Sequence, residues 1–197
     1  MSTPPPSARH GARLLLPAWC CAALLAGCAQ RPLAPAVEDE LPPLAAGLPS
    51  LTSVQRGQTL TAAFGDSEVT LSCGQSVSDA GWRSVCVNSL GLRVFTLAIG
   101  RDGSVTAERG AGVPAALDAR RVLADVQLAS WPLAALEAAY AGSRWRVQAV
   151  GSDGRRLWRD GRLAAEVHYA SAQAADGLHW LVNLQQSYTL MIRPDAQ

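Results

Sequence analysis

The sequence predicts a mainly β fold of the α+β class, an incomplete antiparallel β-barrel of about ten strands that two short helices close. Four Asp-Gly dipeptides lie between stretches of alternating apolar and polar residues, as in tight hairpins: Asp102-Gly103, Asp153-Gly154, Asp160-Gly161 and Asp176-Gly177. Only the segment 118–142 departs from this pattern, because its apolar residues recur at helical spacing. A sheet of about ten strands rarely stays flat, so we expect it to curl around the helices.

The periodicity of the apolar residues places each element. Strands are predicted over residues 58–64, 68–73, 83–88, 92–99, 104–108, 144–150, 155–158, 163–169, 178–184 and 188–193. In both 163–169 and 178–184, apolar and polar residues alternate, so each strand is expected to have one buried face. Between 118 and 142, apolar residues three or four positions apart indicate two helices, the second of which ends at Gly142.

The composition excludes several classes of protein. Of the 197 residues, 49% are hydrophobic and 17% are charged, which is enough apolar material for a core. The formal net charge is +1, and all seventeen basic residues are arginines. An electrostatic nucleic-acid binder needs a basic excess on one face, so no nucleic-acid partner is predicted. Without lysine, the chain has neither a Schiff-base residue nor a P-loop lysine.

Residues 1–27 are predicted to be an export signal. Arg9 and Arg13 precede an apolar run over 14–25, which is shorter than the roughly 20 residues that span a bilayer. The run ends in Leu25-Ala26-Gly27-Cys28, which resembles the lipobox of bacterial lipoproteins. That resemblance implies cleavage before Cys28 and acyl chains such as palmitate on this residue. The alternative is an ordinary cleavage site with a cysteine there by chance.

Residues 28–50 are predicted to form a lipidated tether, and residues 51–197 the folded domain. The tether segment is rich in proline and alanine and can bury little apolar surface, so we expect it to be extended. Ala29 stands where an aspartate commonly retains Gram-negative lipoproteins at the inner membrane. The segment therefore resembles that of outer-membrane lipoproteins, whose bodies lie on the periplasmic face.

A curled sheet of this size is expected to enclose an apolar cavity under the helices. The sheet residues predicted to line it are Val167, Tyr169, Trp180 and Val182, and the helix residues predicted to cover it are Trp131, Leu133 and Leu136. The alternative is that these residues form a plain packed core.

Several segments together resemble the LolB outer-membrane lipoprotein receptor. They are Asn88-Ser89-Leu90-Gly91, Val122-Leu123-Ala124-Asp125, Ser130-Trp131-Pro132-Leu133-Ala134-Ala135-Leu136 and Tyr140-Ala141-Gly142. A little-characterised LolB-like family, often encoded beside aryl-polyene or related lipid biosynthesis enzymes, is the closer match. The segments that resemble this family are Arg93-Val94-Phe95-Thr96-Leu97, Leu128-Ala129-Ser130-Trp131-Pro132-Leu133 and Trp158-Arg159-Asp160-Gly161-Arg162-Leu163.

The resemblance covers most of residues 58–194 and implies a LolA/LolB-like fold. It also implies a role in receiving lipidated or polyene cargo, or another membrane lipid, and moving it to the inner leaflet of the outer membrane. A periplasmic carrier protein is the implied delivering partner. Leu90 matches the protruding loop leucine by which the LolB family engages the membrane. A lone exposed leucine in a turn is also common without any function.

No catalytic residue, metal site or cofactor is predicted. The segment 65–69 fails as a nucleophile elbow because it ends in Val69 instead of glycine. His168 and His179 are both placed on the polar side of their strands, and no motif supplies a nucleophile for either. A hydrolase with an unrecognised site remains a third alternative.

Arginines cluster near the predicted hairpin 153–162. The cluster consists of Arg155, Arg156, Arg159 and Arg162 and includes Asp153 and Asp160, which favours a solvated hairpin over a phosphate site. A weak attraction to anionic lipid headgroups stays open.

Cys73 and Cys86 form an even pair across one predicted hairpin, which favours a disulfide in an oxidising periplasm. Two buried thiols are the alternative. Strand parity argues against the bridge, because an inward Val85 and Val87 would send Cys86 to the face opposite Cys73.

The sequence therefore predicts a non-enzymatic outer-membrane lipoprotein that binds the acyl or polyene part of a lipidic cargo in an apolar cavity and aids its transfer to the outer membrane. The alternative is a structural or adaptor lipoprotein of an envelope export or biosynthesis complex, with its barrel filled by its own side chains.

Overall fold

A computed structural model describes residues 41–46, 55–111, 113, 118–170 and 177–195. All of them belong to one compact unit, Leu41–Gln197. Several predicted features lie outside the described residues. They are the export signal, Cys28, the first part of the tether and Asp176 of the Asp176-Gly177 turn.

The described chain contains ten strands and two helices. The strands are β1 (Gln55–Phe64), β2 (Ser67–Ser78), β3 (Gly81–Val87), β4 (Arg93–Gly100), β5 (Val105–Arg109), β6 (Trp145–Val150), β7 (Gly154–Arg159), β8 (Arg162–Tyr169), β9 (His179–Asn183) and β10 (Tyr188–Pro194). The helices are α1 (Ala119–Ser130) and α2 (Leu133–Tyr140), both between β5 and β6. No helix in these parts of the chain is long and apolar enough to cross a membrane.

All ten strands form a single antiparallel sheet in the order β5-β4-β3-β2-β1-β10-β9-β8-β7-β6. The sheet does not close, since β5 and β6 form its two edges. The predicted fold class, mainly β with about ten strands in an incomplete barrel and two short helices, is confirmed.

The hairpins divide the sheet into two ends. The turns β1–β2, β3–β4, β7–β8 and β9–β10 lie at one end, here called the upper end, and the turns β2–β3, β4–β5 and β6–β7 lie at the lower end. The β7–β8 turn has positive φ at Asp160 (49°) and Gly161 (74°), which is the type I′ geometry that an Asp-Gly pair favours.

Helix α1 runs along the sheet from its upper to its lower end. At its start, Asp118 Oδ1 accepts hydrogen bonds from the backbone N–H groups of Arg120 (2.7 Å) and Arg121 (3.0 Å), which caps the helix. At its lower end, the rings of Trp131 and of Trp82 in β3 pack edge to face, with centroids 5.2 Å apart.

Two side chains from the sheet hold the C-terminal end of α1. Arg155 Nη1 donates to the carbonyl oxygens of Leu128 (2.9 Å) and Trp131 (2.6 Å), and the Tyr169 hydroxyl donates to that of Ala129 (3.2 Å). The carbonyls of Leu128 and Ala129 have no partner within the helix. The positive charge of Arg155 also interacts favourably with the negative end of the helix dipole. The prediction of a solvated arginine hairpin is therefore wrong for Arg155, because the helix end requires donors. It is also wrong for Arg159, which is buried and lies over the ring of Trp145.

Part of the predicted tether packs on the folded body. The amide of Gln127 in α1 makes two buried hydrogen bonds with the backbone of Ala45: Nε2 donates to the carbonyl (2.8 Å) and Oε1 accepts from the N–H (2.9 Å). Ala45 is buried, and Leu44 packs against the core. A buried glutamine needs partners for its polar atoms, and the backbone of Ala45 supplies them here. The folded body therefore begins before residue 51.

Cys73 of β2 and Cys86 of β3 are directly opposite in register, and the structure joins them by a disulfide. Both are buried, with Trp82 and Ser84 on the same inward face of β3. The parity objection assumed that the valines of β3 point inward. They are instead only half-buried on the other face, which puts Cys86 beside Cys73.

The disulfide is expected to stabilise the body. Replacing both residues, Cys73→Ala together with Cys86→Ala, should lower the free energy of unfolding by about 2–4 kcal/mol, because the bridge closes a short loop in the unfolded chain. Urea unfolding of the wild-type and double-variant proteins measures the difference. The reduced wild-type protein is the control and should match the double variant. Two reactive thiols at positions 73 and 86 in unfolded, unreduced protein would contradict the bridge.

Candidate functional site

A cavity of about 520 Å³ lies between the first two turns of α1 and the inner face of the sheet, at its upper end. The residues that line it are Leu60, Ala62, Phe64, Ser67, Val69, Leu71, Phe95, Asp118, Arg121, Val122, Asp125, Gln186, Tyr188 and Leu190. Most of these side chains are apolar. The volume is within the range of roughly 300–1,000 Å³ that is usual for small-molecule sites.

The sheet side of the cavity is built from cross-strand rows on β2, β1 and β10. The deep row pairs Leu71 with Leu60, and the upper row pairs Ser67 with Phe64 and Tyr188. The middle row is Val69, Ala62 and Leu190. A small residue, Ala62, is therefore at the centre of the middle row, where a larger side chain would reach into the cavity.

The helix side of the cavity is one face of α1, formed by residues at spacing i, i+3, i+4 and i+7. Asp118 is exposed, Arg121 and Val122 are half-buried, and Asp125 is buried. Because α1 starts at the upper end, this gradient of exposure runs from the cavity mouth inward over about 10 Å of helix. The mouth is therefore polar and the interior mainly apolar.

Asp125 belongs to a buried polar network that ties α1 to the sheet. The Tyr188 hydroxyl donates a hydrogen bond to the Asp125 carboxyl, and the same hydroxyl accepts one from Asn183 Nδ2 (3.2 Å). Asn183 Oδ1 in turn accepts from the backbone N–H of Gln186 (3.0 Å) in the β9–β10 turn. The network therefore links the helix to the turn at the cavity mouth.

Burial raises the pKa of the Asp125 carboxyl from 3.8 to about 7, although the Tyr188 hydrogen bond and the positive charge of Arg121 both lower it. The pKa of the Tyr188 hydroxyl is raised as well, first by burial and then by the nearby Asp125. At neutral pH, the network thus holds a carboxyl group near the midpoint of its titration.

None of the residues predicted to line a cavity is among those that line this one. Trp131, Leu136 and Val167 are fully buried in the core, and Leu133 and Tyr169 pack against it. These side chains fill the lower end of the sheet because the C-terminal end of α1 is attached there to β7 and β8. The prediction that they line an open cavity is wrong.

Trp180 and Val182 are on the outer face of the sheet. Trp180 is 37% exposed, whereas His179, Leu181 and Asn183 point inward and are buried. The prediction placed the two polar residues outside, but Asn183 is hydrogen-bonded to Tyr188, and His179 packs edge-on against Tyr169 with ring centroids 5.1 Å apart. The inward orientation gives both polar side chains a partner and also buries Leu181. These gains outweigh the alternation that would place polar residues outside and apolar residues inside. His168 is exposed, as predicted.

The β3–β4 turn at the upper end carries two exposed leucines. Leu90 is 79% exposed and Leu92 is 60% exposed. Asn88 Oδ1 accepts hydrogen bonds from the backbone N–H groups of both leucines, each at 3.0 Å, and Gly91 has a positive φ of 74°. The turn is therefore well ordered by its own hydrogen bonds, and it presents Leu90 at the same end of the sheet as the cavity mouth.

The described residues contain no group of three or more His, Cys, Asp or Glu side chains that could hold a metal ion. Ser67, at the centre of the segment 65–69 that fails as a nucleophile elbow, begins β2 and lines the cavity.

The stability of the protein should depend on the proton of Asp125. The folded chain keeps this proton up to about pH 7, whereas the unfolded chain loses it near 3.8. The contribution is thus complete below about pH 4 and is lost as the pH rises to 7. Asp125→Asn should remove this component, which is on the order of a few kcal/mol. Urea unfolding between pH 4 and 8 measures it.

The control for this experiment is Glu137→Gln, which changes an exposed carboxyl on α2. That variant should keep the pH dependence of the wild type. An Asp125→Asn curve parallel to the wild-type curve would contradict the assignment.

Comparison with known proteins identifies the family of this chain. No curated protein matches the chain. Residues 55–196, which are well over half of the chain and include all ten strands and both helices, match the family described as "Protein of unknown function (DUF3261)". The chain belongs to the DUF3261 family.

Proposed function

We propose that this protein is an outer-membrane-anchored periplasmic lipoprotein that binds the acyl or polyene part of a lipidic cargo and aids its transfer to the outer membrane. The observation that carries the proposal is the apolar cavity at the upper end of the sheet. The proposed role needs no reaction and no cofactor.

The cavity favours this role over the alternative of a structural or adaptor lipoprotein. In a barrel filled by its own side chains, the helices would pack against the whole inner face of the sheet. Here the lower half is filled in this way, whereas Leu60, Leu71 and Leu190 face a space of about 520 Å³. Each methylene of a chain that enters such a space contributes roughly 0.8 kcal/mol.

The exposed leucines of the β3–β4 turn favour release of cargo at a membrane. Insertion of Leu90 into lipid would contribute about 1.5–3 kcal/mol, too little to anchor the protein but enough to bias the mouth toward the bilayer. The resemblance of this turn to the membrane-engaging loop of LolB supports the same role. A periplasmic carrier remains the proposed source of the cargo.

The proposed anchor is Cys28. Two or three acyl chains on this residue would bind a membrane stably, where one would not. A chain of thirteen residues, from Cys28 to residue 40, reaches about 45 Å at most, and β2 with its twelve residues is about 40 Å long. The tether is therefore long enough for the upper end of the sheet to approach the membrane.

Filling the cavity should weaken ligand binding. Ala62→Trp places a large ring in the middle row between Val69 and Leu190, so binding of cis-parinaric acid, a fluorescent polyene fatty acid, should weaken at least tenfold. The matched control is Ala63→Trp, the next residue on β1, which points to the other face of the sheet. Fluorescence titration measures both. Equal binding by the two variants would refute the cavity as the binding site.

Removing the exposed leucine should slow transfer without affecting binding. Leu90→Glu is expected to leave unfolding and cis-parinaric acid binding unchanged while slowing release of the probe into liposomes severalfold, because a carboxylate cannot enter the bilayer. Val150→Glu is the control, since Val150 is also exposed but lies at the lower end of the sheet. Transfer by Leu90→Glu at the wild-type rate would make Leu90 an ordinary turn residue.

A further inference from the structure

The lower limit of the cavity is a row of side chains that crosses β2, β3 and β4. Phe95 of β4 lines the cavity, is 1% exposed and is directly opposite Cys86 in register. Cys86 is in turn opposite Cys73 and joined to it by the disulfide. This row lies two residues below Leu71, which is the deepest lining residue of β2. Phe95 therefore forms the floor of the cavity, beside a covalent link between two strands.

The space below this floor is filled. The next inward residues of β4 are Leu97 and Ile99, both fully buried. Trp82 is opposite Ile99 in register and packs against Trp131 at the end of α1. None of these four side chains lines the cavity. The cavity therefore ends at the level of Phe95.

The distance from the mouth to the floor limits the length of a ligand. On β2, Ser67 lines the cavity at the upper end, and Cys73 of the floor row is six residues further along. At about 3.4 Å per residue, these span about 20 Å of strand, or roughly 15 Å of depth if the strands tilt by about 40°. An extended hydrocarbon chain advances about 1.25 Å per carbon, given C–C bonds of about 1.5 Å, so roughly 12 to 16 carbons reach from the mouth to Phe95.

The volume of the cavity limits the number of chains. An apolar protein cavity of about 150 Å³ holds one benzene molecule, which is about 25 Å³ per carbon. At that density, the 520 Å³ of this cavity take about twenty carbons. One chain of about 12 to 16 carbons fits, whereas two such chains, with roughly 24 carbons or more, do not.

We propose that the cavity takes a single hydrocarbon chain and that Phe95 sets the greatest length it accepts. This inference rests on the proposed function and deepens it by naming the ligand class, amphiphiles with one chain. A lipid with two or three chains would leave the others in water outside the mouth, where they contribute nothing to binding. The tail of the ligand lies between the leucines of β1 and β2, and its terminal methyl group meets the ring of Phe95.

The test measures affinity as a function of chain length. Full-length protein is loaded with the apolar fluorophore 1-aminoanthracene, which is then displaced by fatty acids of increasing length, each below its critical micelle concentration. Every buried methylene should tighten binding about fourfold. The gain should fall below twofold per methylene once the chain exceeds roughly 12 to 16 carbons. This break is the length limit.

Phe95→Ala should move the length limit to chains about two or more carbons longer, because it opens the floor. The matched control is Leu97→Ala, which truncates the next inward residue of β4, equally buried but outside the lining. It should keep the wild-type limit. An equal shift in both variants would reflect a loosened core and overturn the role of Phe95. If Phe95→Ala does not fold, the milder Phe95→Leu should move the limit in the same direction, and an unchanged limit would refute the floor.

The number of chains is measured separately, by titrating wild-type protein to saturation with cis-parinaric acid. One molecule per protein is expected, and two would overturn the single-chain assignment.

Two outcomes with wild-type protein separate this inference from the proposed function. A steady gain in affinity with every added methylene, with no break, would overturn the length limit and leave the cavity function intact. Failure to bind the fluorophore and every fatty acid would overturn both.

Discussion

The attachment of α1 to the sheet determines where this molecule has space. Arg155 and Tyr169 bind carbonyl groups at the C-terminal end of the helix, and Trp131 packs on Trp82 beside them. These contacts fill the lower end of an open ten-stranded sheet. At the other end, the cavity lies between the first two turns of α1 and the strands β1, β2 and β10. The sheet is thus filled by side chains at its lower end and keeps a cavity at its upper end.

The Asp125 network is the second attachment, and it places polar groups in an apolar site. Tyr188 and Asn183 satisfy the carboxyl by hydrogen bonds, yet burial still raises its pKa to about 7. An apolar pair would hold the helix without this cost. The network therefore places a buried polar group in the wall of a mainly apolar cavity.

The fold was predictable from the sequence, but the position of the cavity was not. Asp-Gly turns and the alternation of apolar residues are local signals, so they locate hairpins such as the type I′ turn at Asp160-Gly161. The lining depends on the pairing of β1 with β10, which joins the two ends of the domain and leaves no local signal. It also depends on the parity of β9, where hydrogen-bonded Asn183 points inward and Trp180 outward. One local sign was present: Asp125 interrupts the apolar stripe of α1.

The central claim is that the chain of a ligand lies between α1 and the strands β1, β2 and β10. Photo-crosslinking with a fatty acid that carries a diazirine at its terminal carbon, followed by peptide mass spectrometry, tests this most directly. The account predicts adducts on peptides that contain Leu60, Leu71 or Phe95. Adducts concentrated on α2, β8 or β9, or spread evenly over the outer surface, would contradict it.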